Sequence, residues 1–322
     1  MKTFSSLLLG FLIIASPAAA QTQGFPSQPL RMVVGFGPGG GNDILARILS
    51  RELGNILGQP VVVENRPGAG GIIGADNVAK AQPNGYSLYL GSTGTNTIAP
   101  ALYAKMPFDP RKDLAPVAVI ARAGNLVMVN NDLPVKNIGE LIALAKKKPG
   151  TLNFGSSGNG STVHLAGALF AEQAGIDIVH VPYKGDAQAL SDLIAGQVQI
   201  GFSGTPPGLP FAKSGQARVL AVTTPNRSAA LPDVPTVAEA GLPEYSFSTW
   251  YGLFATGGTD PAVIGKLSAA VKKAMDSQDV RTQIQAQGVE PSFNTPQAFA
   301  AEMDQELVKW KKVVKASGIT IN

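Results

Sequence analysis

The chain contains no cysteine and only two histidines among its 322 residues. Without cysteine there is no disulfide staple, no thiol nucleophile, no thiolate metal site and no lipid anchor through an N-terminal cysteine. Charged residues are also scarce, at 15% against 44% hydrophobic, and the formal net charge is only +4. The one basic run, Lys146-Lys147-Lys148, closes a helical pattern, where cations suit the helix dipole. It is too short, and too poor in arginine and aromatics, for a nucleic-acid patch, so no nucleic-acid partner is expected. Past the N-terminus no apolar run approaches the roughly 20 residues that span a bilayer. Neither His164 nor His180 belongs to a metal-binding motif, and no carboxylate cluster accompanies them, so no metal and no cofactor are expected.

What the chain does have begins with a targeting segment. Lys2, the apolar run Leu7 to Ile14 and then Ser16-Pro17-Ala18-Ala19-Ala20 form a basic n-region, a short h-region and an Ala-x-Ala site. Residues 1–20 are predicted to be a secretory signal peptide cleaved after Ala20, leaving an exported chain stabilised by its core alone. About 300 residues suffice for that, and the length suggests two domains.

Apolar runs then alternate with helical patterns. Leu30–Val34, Val61–Val63 and Ser87–Leu90 read as strands; Asn42–Leu57 and Ile72–Ala81 read as the helices between them. This β-α-β-α-β order predicts an α/β fold with a parallel sheet covered on both faces. The alternation restarts at Leu126–Val129 and runs through helices at Ile138–Lys147 and Ser161–Ala174 to a strand at Val219–Thr223. An extended aromatic segment, Ser246–Ala255, precedes a purely helical tail. Asp260-Pro261 and Thr295-Pro296 are helix starts, each a cap residue followed by proline. Two α/β lobes are expected: residues 26–120 plus 248–322, and residues 121–247. Ala115–Ala121 and Ser246–Ala255 are the expected crossover strands, and the tail is expected to pack on the first lobe.

"VVGFGPGGGNDILARIL", Val33 to Leu49, carries G-x-G-x-x-G at Gly35, Gly37 and Gly40. It follows a strand and opens a helix, and Glu64 ends the next strand, as a dinucleotide site requires. Pro38 inside the turn, the long spacing to Glu64 and the export signal count against that reading. A plain glycine turn would account for the motif structurally. A third reading fits the physics better: free backbone N–H groups at a helix start make an anion site without any arginine. Asn42 or Asp43 can cap that helix, and Asp43 can instead accept from a ligand hydroxyl or ammonium, or hold a water. "NFGSSGNGSTVHLAG", Asn153 to Gly167, repeats the strand–loop–helix device, with hydroxyls at Ser156, Ser157, Ser161 and Thr162. Two such cradles, one per lobe, would face each other across a cleft at the carboxyl ends of the strands. Further loops rich in hydroxyl and backbone donors end neighbouring strands. "GSTGTNTIAP" (Gly91–Pro100) contributes Thr93, "VPYKG" (Val181–Gly185) contributes Tyr183 and Lys184, and "FSGTPPG" (Phe202–Gly208) contributes Ser203 and Gly204. Phe36 and Tyr183 either wall the ligand or belong to the core; Lys184 is either a charge partner or a surface lysine. No G-x-S-x-G elbow is present. An exported hydrolase using Ser157 and His164 stays open as an alternative, although nothing identifies a third member.

Taken together, "GFGPGGGNDILARIL", "VVVENRPGAGG", "NGYSLYLGSTGT", "NFGSSGNGSTVHLAG", "HVPYKG" and "LPDVPTVAEAG" resemble the Bug family. These are periplasmic solute receptors of tripartite tricarboxylate transporters, and the resemblance runs through nearly the whole mature chain. It implies a type II periplasmic binding protein: two α/β lobes, two crossover strands and a cleft that closes on ligand. It implies a small carboxylate ligand (di- or tricarboxylate, acidic amino acid or aromatic acid), no catalysis, a monomer, and a membrane permease partner with large and small subunits. By position, the first loop supplies Phe36, Pro38, Gly39, Gly40 and Asp43, and the second supplies Ser156, Ser157, Ser161, Thr162 and His164. Gln199, where the family often has an acid, and Pro206-Pro207 depart from the pattern at the distal end of the ligand. A receptor that presents its closed form to a signalling partner is a further alternative.

Overall fold

The computed structural model describes residues 24–317, so the targeting segment read at residues 1–20 lies outside the described residues. Among the described residues no helix is long and apolar enough to cross a membrane.

The first half opens with β1 (Leu30–Val34), α1 (Gly41–Leu57), β2 (Val61–Asn65), α2 (Ile72–Ala79) and β3 (Ser87–Ser92), the order read from the apolar spacing. Leu45, Ala46, Leu49 and Leu53 recur at helical spacing on α1 and are all buried. Gly58, left-handed at φ 69°, ends that helix. β2, β1 and β3 pair in parallel. After β3, where a loop was expected, the chain winds one π-helical segment, Gly94–Ile98, and then α3 (Ala99–Leu102).

Next comes β4 (Leu114–Val129), sixteen residues long. The sequence predicts two strands here, Ala115–Ala121 and Leu126–Val129; the structure joins them into one. Gly124 serves close approach rather than a turn, since a Cβ there would sit 2.6 Å from Thr224 Cγ2. The second half then alternates α4 (Ile138–Lys147), β5 (Asn153–Ser156), α5 (Thr162–Ala174), β6 (Val179–Pro182), α6 (Asp186–Ile194), β7 (Ile200–Gly204), α7 (Thr205–Lys213) and β8 (Arg218–Val222). α7 falls where a loop was expected. Pro206 and Pro207 lie in its first turn, where a backbone N–H has no intrahelical partner to lose. The chain returns through β9 (Ser248–Thr256) and closes with α8 (Pro261–Asp276), α9 (Gln278–Ala286), β10 (Glu290–Pro291) and α10 (Pro296–Ser317).

The strands lie in the order β2-β1-β3-β9-β4-β7-β5-β6, with β8 and β10 also paired to β4. β4 is the common member: its first part pairs antiparallel with β9, its last with β7 and β8. Two lobes therefore hang on β4 and β9, the two crossing strands. The helical tail does more than cover the first lobe. Phe299 and Met303 of α10 join the core built on Trp250 and Phe254, whereas Trp310 joins the second-lobe core beside Phe247. α10 is also tied to the crossing by Glu306, which accepts from Trp250 Nε1 and Thr97 Oγ1, both at 2.9 Å. Phe299 is fully buried, with ring centroids 4.9 Å from Trp250 and 5.0 Å from Phe254. Phe299→Ala should therefore cost about 3–5 kcal/mol in urea denaturation.

Candidate functional site

The two lobes touch along two strips of glycine. In the first, the Gly35–Gly40 loop meets the turn between β6 and α6: Gly37 N donates to the Lys184 carbonyl at 3.4 Å. A Cβ on Gly40 would lie 3.5 Å from Asp186 Oδ2. In the second strip, Gly70 and Gly94 of the first lobe meet the loop before α5. A Cβ on Gly94 would lie 2.8 Å from the Thr162 amide, and one on Gly70 would overlap the Asn159 carbonyl oxygen. Tyr103 Oη also donates to the Asn159 carbonyl, at 3.3 Å. The lobes are thus closed on each other, and each glycine loop faces a different segment of the opposite lobe rather than the other loop.

The first loop is braced from within. Asp43 is buried and accepts from the Gly39 amide at 3.0 Å, Asn65 Nδ2 at 2.9 Å and Arg47 Nη2 at 2.9 Å. Burial pushes its carboxyl up, but the Arg47, Gly39 and Asn65 hydrogen bonds outweigh this and hold it below its ordinary value. Its oxygens are thus engaged by the loop, α1 and the end of β2. Phe36 packs beside Gly71 in the core and lends its carbonyl to Asn65. Pro38 and Gly39 are exposed. No side chain caps α1 at Gly40, whose Cβ position lies beside Asp186.

The second loop is likewise partly self-satisfied. Ser161 caps α5 by accepting from the His164 amide. Ser156, fully buried, shares a hydrogen with His180 Nε2 at 2.6 Å and accepts from the Gly158 amide at 3.1 Å. The two histidine rings stack at 3.9 Å, and His164 Nδ1 accepts from the Gly160 amide. Ser157 and Thr162 make no side-chain hydrogen bond among the described residues, so their hydroxyls are available at the start of α5. No hydrogen bond joins Ser157 to His164. Burial lowers His164 to about 4; burial and the neighbouring His164 lower His180 to about 3. Imidazoles so lowered make poor general bases near neutral pH.

Of the remaining loop residues, Thr93 is buried and accepts from the Trp250 amide at 3.0 Å. Tyr183 donates to Asp192 at 2.7 Å and Lys184 is exposed, so neither side chain joins the group at Asp186. Ser203 turns its hydroxyl to the Gly204 carbonyl. Gly204 starts α7 and faces Tyr251 Oη, to which a Cβ would come within 3.6 Å. Gly41, Gly204 and Asp186 thus gather around Tyr251 at the crossing.

The comparisons with known proteins fit this geometry. Residues 45–319 match the model of the tripartite tricarboxylate transporter family receptor. The chain belongs to this receptor family. It is 38% identical over 306 residues to the protein BugT of Bordetella pertussis, covering 95% of this chain and 93% of that one. Among solved structures, Rpa4515 of R. palustris with adipate matches at TM-score 0.89 and 37% identity, covering 92% of this chain and 99% of that one. MatC (Rpa3494) of Rhodopseudomonas palustris with bound malate matches at TM-score 0.86 and 33% identity, covering 90% and 100%.

Within this receptor, sequence reasoning missed Asp186, Tyr251, Asn125 and the glycines at 41, 70 and 94. The quoted "VPYKG" stops one residue short of Asp186. An aspartate in the first turn of a helix is common on dipole grounds alone, so its position does not distinguish it from an ordinary end residue. Asp186 is only 8% exposed, and no ion pair reaches it among the described residues. Burial pushes its carboxyl up to about 6, even though the amides of Gly204 and of Asp186 itself pull it down. A raised folded-state value means that the stabilising contribution is full below about 3.8 and is lost as pH rises through about 6. Asp186→Asn should therefore raise stability by roughly 2–3 kcal/mol near neutral pH, with the gain vanishing below about pH 4, as read by urea melts at both pH values.

A cavity of about 490 Å³ lies elsewhere, at the crossing between the Gln285–Pro291 segment and the loop from Thr224 to Ala230. Its two arginines are already paired, Arg122 with Glu302 and Arg227 with Glu239. None of the glycine-loop residues lines it.

Proposed function

We propose that this receptor is exported to the periplasm after cleavage at Ala20, captures a small carboxylate by closing its lobes, and delivers it to a permease with large and small subunits. It acts as a monomer and catalyses nothing. The first lobe is assigned to residues 26–120 plus 248–322 and the second to residues 121–247. The observation that carries the reading is the junction itself. The lobes meet through glycines, and two helix starts border the closure, α1 without a side-chain cap and α5 with the Ser157 and Thr162 hydroxyls free. Such groups take a carboxylate without a cationic side chain. The adipate and malate carried by the similar solved structures point to the same ligand class.

A thermal-shift screen of small carboxylates against nucleotides and esters tests the reading, since a ligand selective for the closed native state raises the melting temperature. The best carboxylate should bind with micromolar affinity, about −8 kcal/mol, and Ser157→Ala should weaken it about tenfold. A screen in which no carboxylate shifts the transition, or one in which an ester is turned over, would overturn it. Pull-down of permease subunits from membranes, with and without that carboxylate, tests delivery.

A further inference from the structure

Two acceptors at the lobe junction are incompletely matched among the described residues, one lacking a countercharge and the other any hydrogen-bond partner. The first is Asp186. Its carboxylate lies beside the Gly40 end of α1 and near Tyr251, receives only the backbone amides of Gly204 and of its own residue, and has no described cation opposite it. The second is Asn125 Oδ1, buried without any hydrogen-bond partner. Its Nδ2 faces the Thr162 carbonyl at 3.5 Å, leaving Oδ1 on the other side. Asn125 and Gly204 are direct partners across the β4–β7 ladder. The ladder thus links the two, Gly204 donating to Asp186 on one side and Asn125 facing the start of α5 on the other. A buried carboxylate with no countercharge is costly, and the cost is relieved when a cation or strong donor is placed against it.

We propose that Asp186 is the specificity-determining residue of the junction: it receives the ammonium group of a ligand whose carboxylate rests at the start of α5, so the preferred ligand is an amino acid rather than a plain diacid. This rests on the carboxylate-receptor reading above and narrows it. A second carboxylate placed against Asp186 would meet like charge. An ammonium there would be countered by Asp186. Among the described residues, the titratable side chain that faces Asp186 is Tyr251, whose phenol is itself pushed up by burial and by Asp186, so it stays neutral and can donate.

The test uses the mature protein and matched probe pairs differing by one amino group: succinate and aspartate, glutarate and glutamate, adipate and 2-aminoadipate, with neutral amino acids alongside. By calorimetry near pH 7.5 an amino-bearing probe should bind roughly ten- to a hundredfold tighter than its plain partner. Asp186→Asn, expected to fold with a raised melting temperature, should bring that ratio close to one. In the unaltered protein the ratio should also shrink as pH falls from about 7.5 to about 5, because Asp186 then takes up a proton. Plain diacids binding as tightly as their amino partners, or an undiminished preference in Asp186→Asn, would overturn this inference and leave the carboxylate reading standing. If no carboxylate of either kind bound, both would fall.

Discussion

Gly70→Ala is expected to abolish high-affinity binding while leaving the protein folded. Gly70 sits at φ 61° on the rim of the first lobe, and a methyl group there would overlap the Asn159 carbonyl oxygen of the second lobe. Backbone oxygen cannot rotate aside as a side chain can, so the lobes would be held apart. Where closure supplies the binding contacts, affinity should fall at least about a hundredfold, on the order of 3 kcal/mol. The left-handed backbone also costs the alanine variant about 1–2 kcal/mol of stability. Gly58→Ala separates the two effects: Gly58 has φ 69° but nothing within 4 Å of its Cβ, so it shares the strain without touching the other lobe. Calorimetry should find binding intact in Gly58→Ala and lost in Gly70→Ala. Equal affinities in the two variants would mean that the contact at Asn159 is not part of the bound state.

The second large effect is acid sensitivity centred on the histidine pair. His164 and His180 stack at 3.9 Å, and their values fall from the ordinary 6.5 to about 4 and about 3. For a lowered folded-state value, the stabilising contribution is full above about 6.5 and is lost as pH falls through about 4 and then about 3. Holding a proton off costs about 1.4 kcal/mol for each pH unit below the ordinary value, so several kcal/mol should be lost between neutral pH and pH 4. Asp186 opposes this in part, because its own contribution is regained between about 6 and 3.8. Urea melts at about pH 7.5 and pH 4 should show the unaltered protein losing much more stability than a His164→Gln/His180→Gln double variant. The double variant should begin lower at neutral pH, having lost the stack and the Ser156 hydrogen bond. Parallel losses in both proteins would place the acid sensitivity elsewhere.

The periodic parts of the fold were legible because burial there follows spacing. Leu45, Leu49 and Leu53 on α1, and the parallel β2-β1-β3 order, follow directly from apolar periodicity. Punctuation residues misled where tertiary contact, and not local turning, placed them. Gly124 lies in the gap between the two strands read from the sequence and lets the single β4 pass close to Thr224. Pro206 and Pro207 looked like a loop and instead open α7. The same limit applies to the candidate site. The loop glycines and serines were readable as donors, but the engagement of Asp43 by Gly39 and Asn65, or of Ser156 by His180, depends on partners distant in sequence or on loop geometry. Asp186 and Tyr251 meet only because α6 and β9 are brought together at the crossing, 65 residues apart in the chain by their numbers. Nothing local to "KGDAQ" or "TWYGL" announces that meeting.

The absence of cysteine makes the central claim, closure of the two lobes on a carboxylate, directly measurable. Ile73 and Val179 are exposed, one on each lobe. Ile73→Cys with Val179→Cys would carry spin labels with no background thiol. The distance distribution between the labels should be broad without ligand and collapse to one narrow peak at saturation with the best carboxylate of the thermal-shift screen. An identical distribution with and without that carboxylate, at concentrations where calorimetry shows the site filled, would contradict the account.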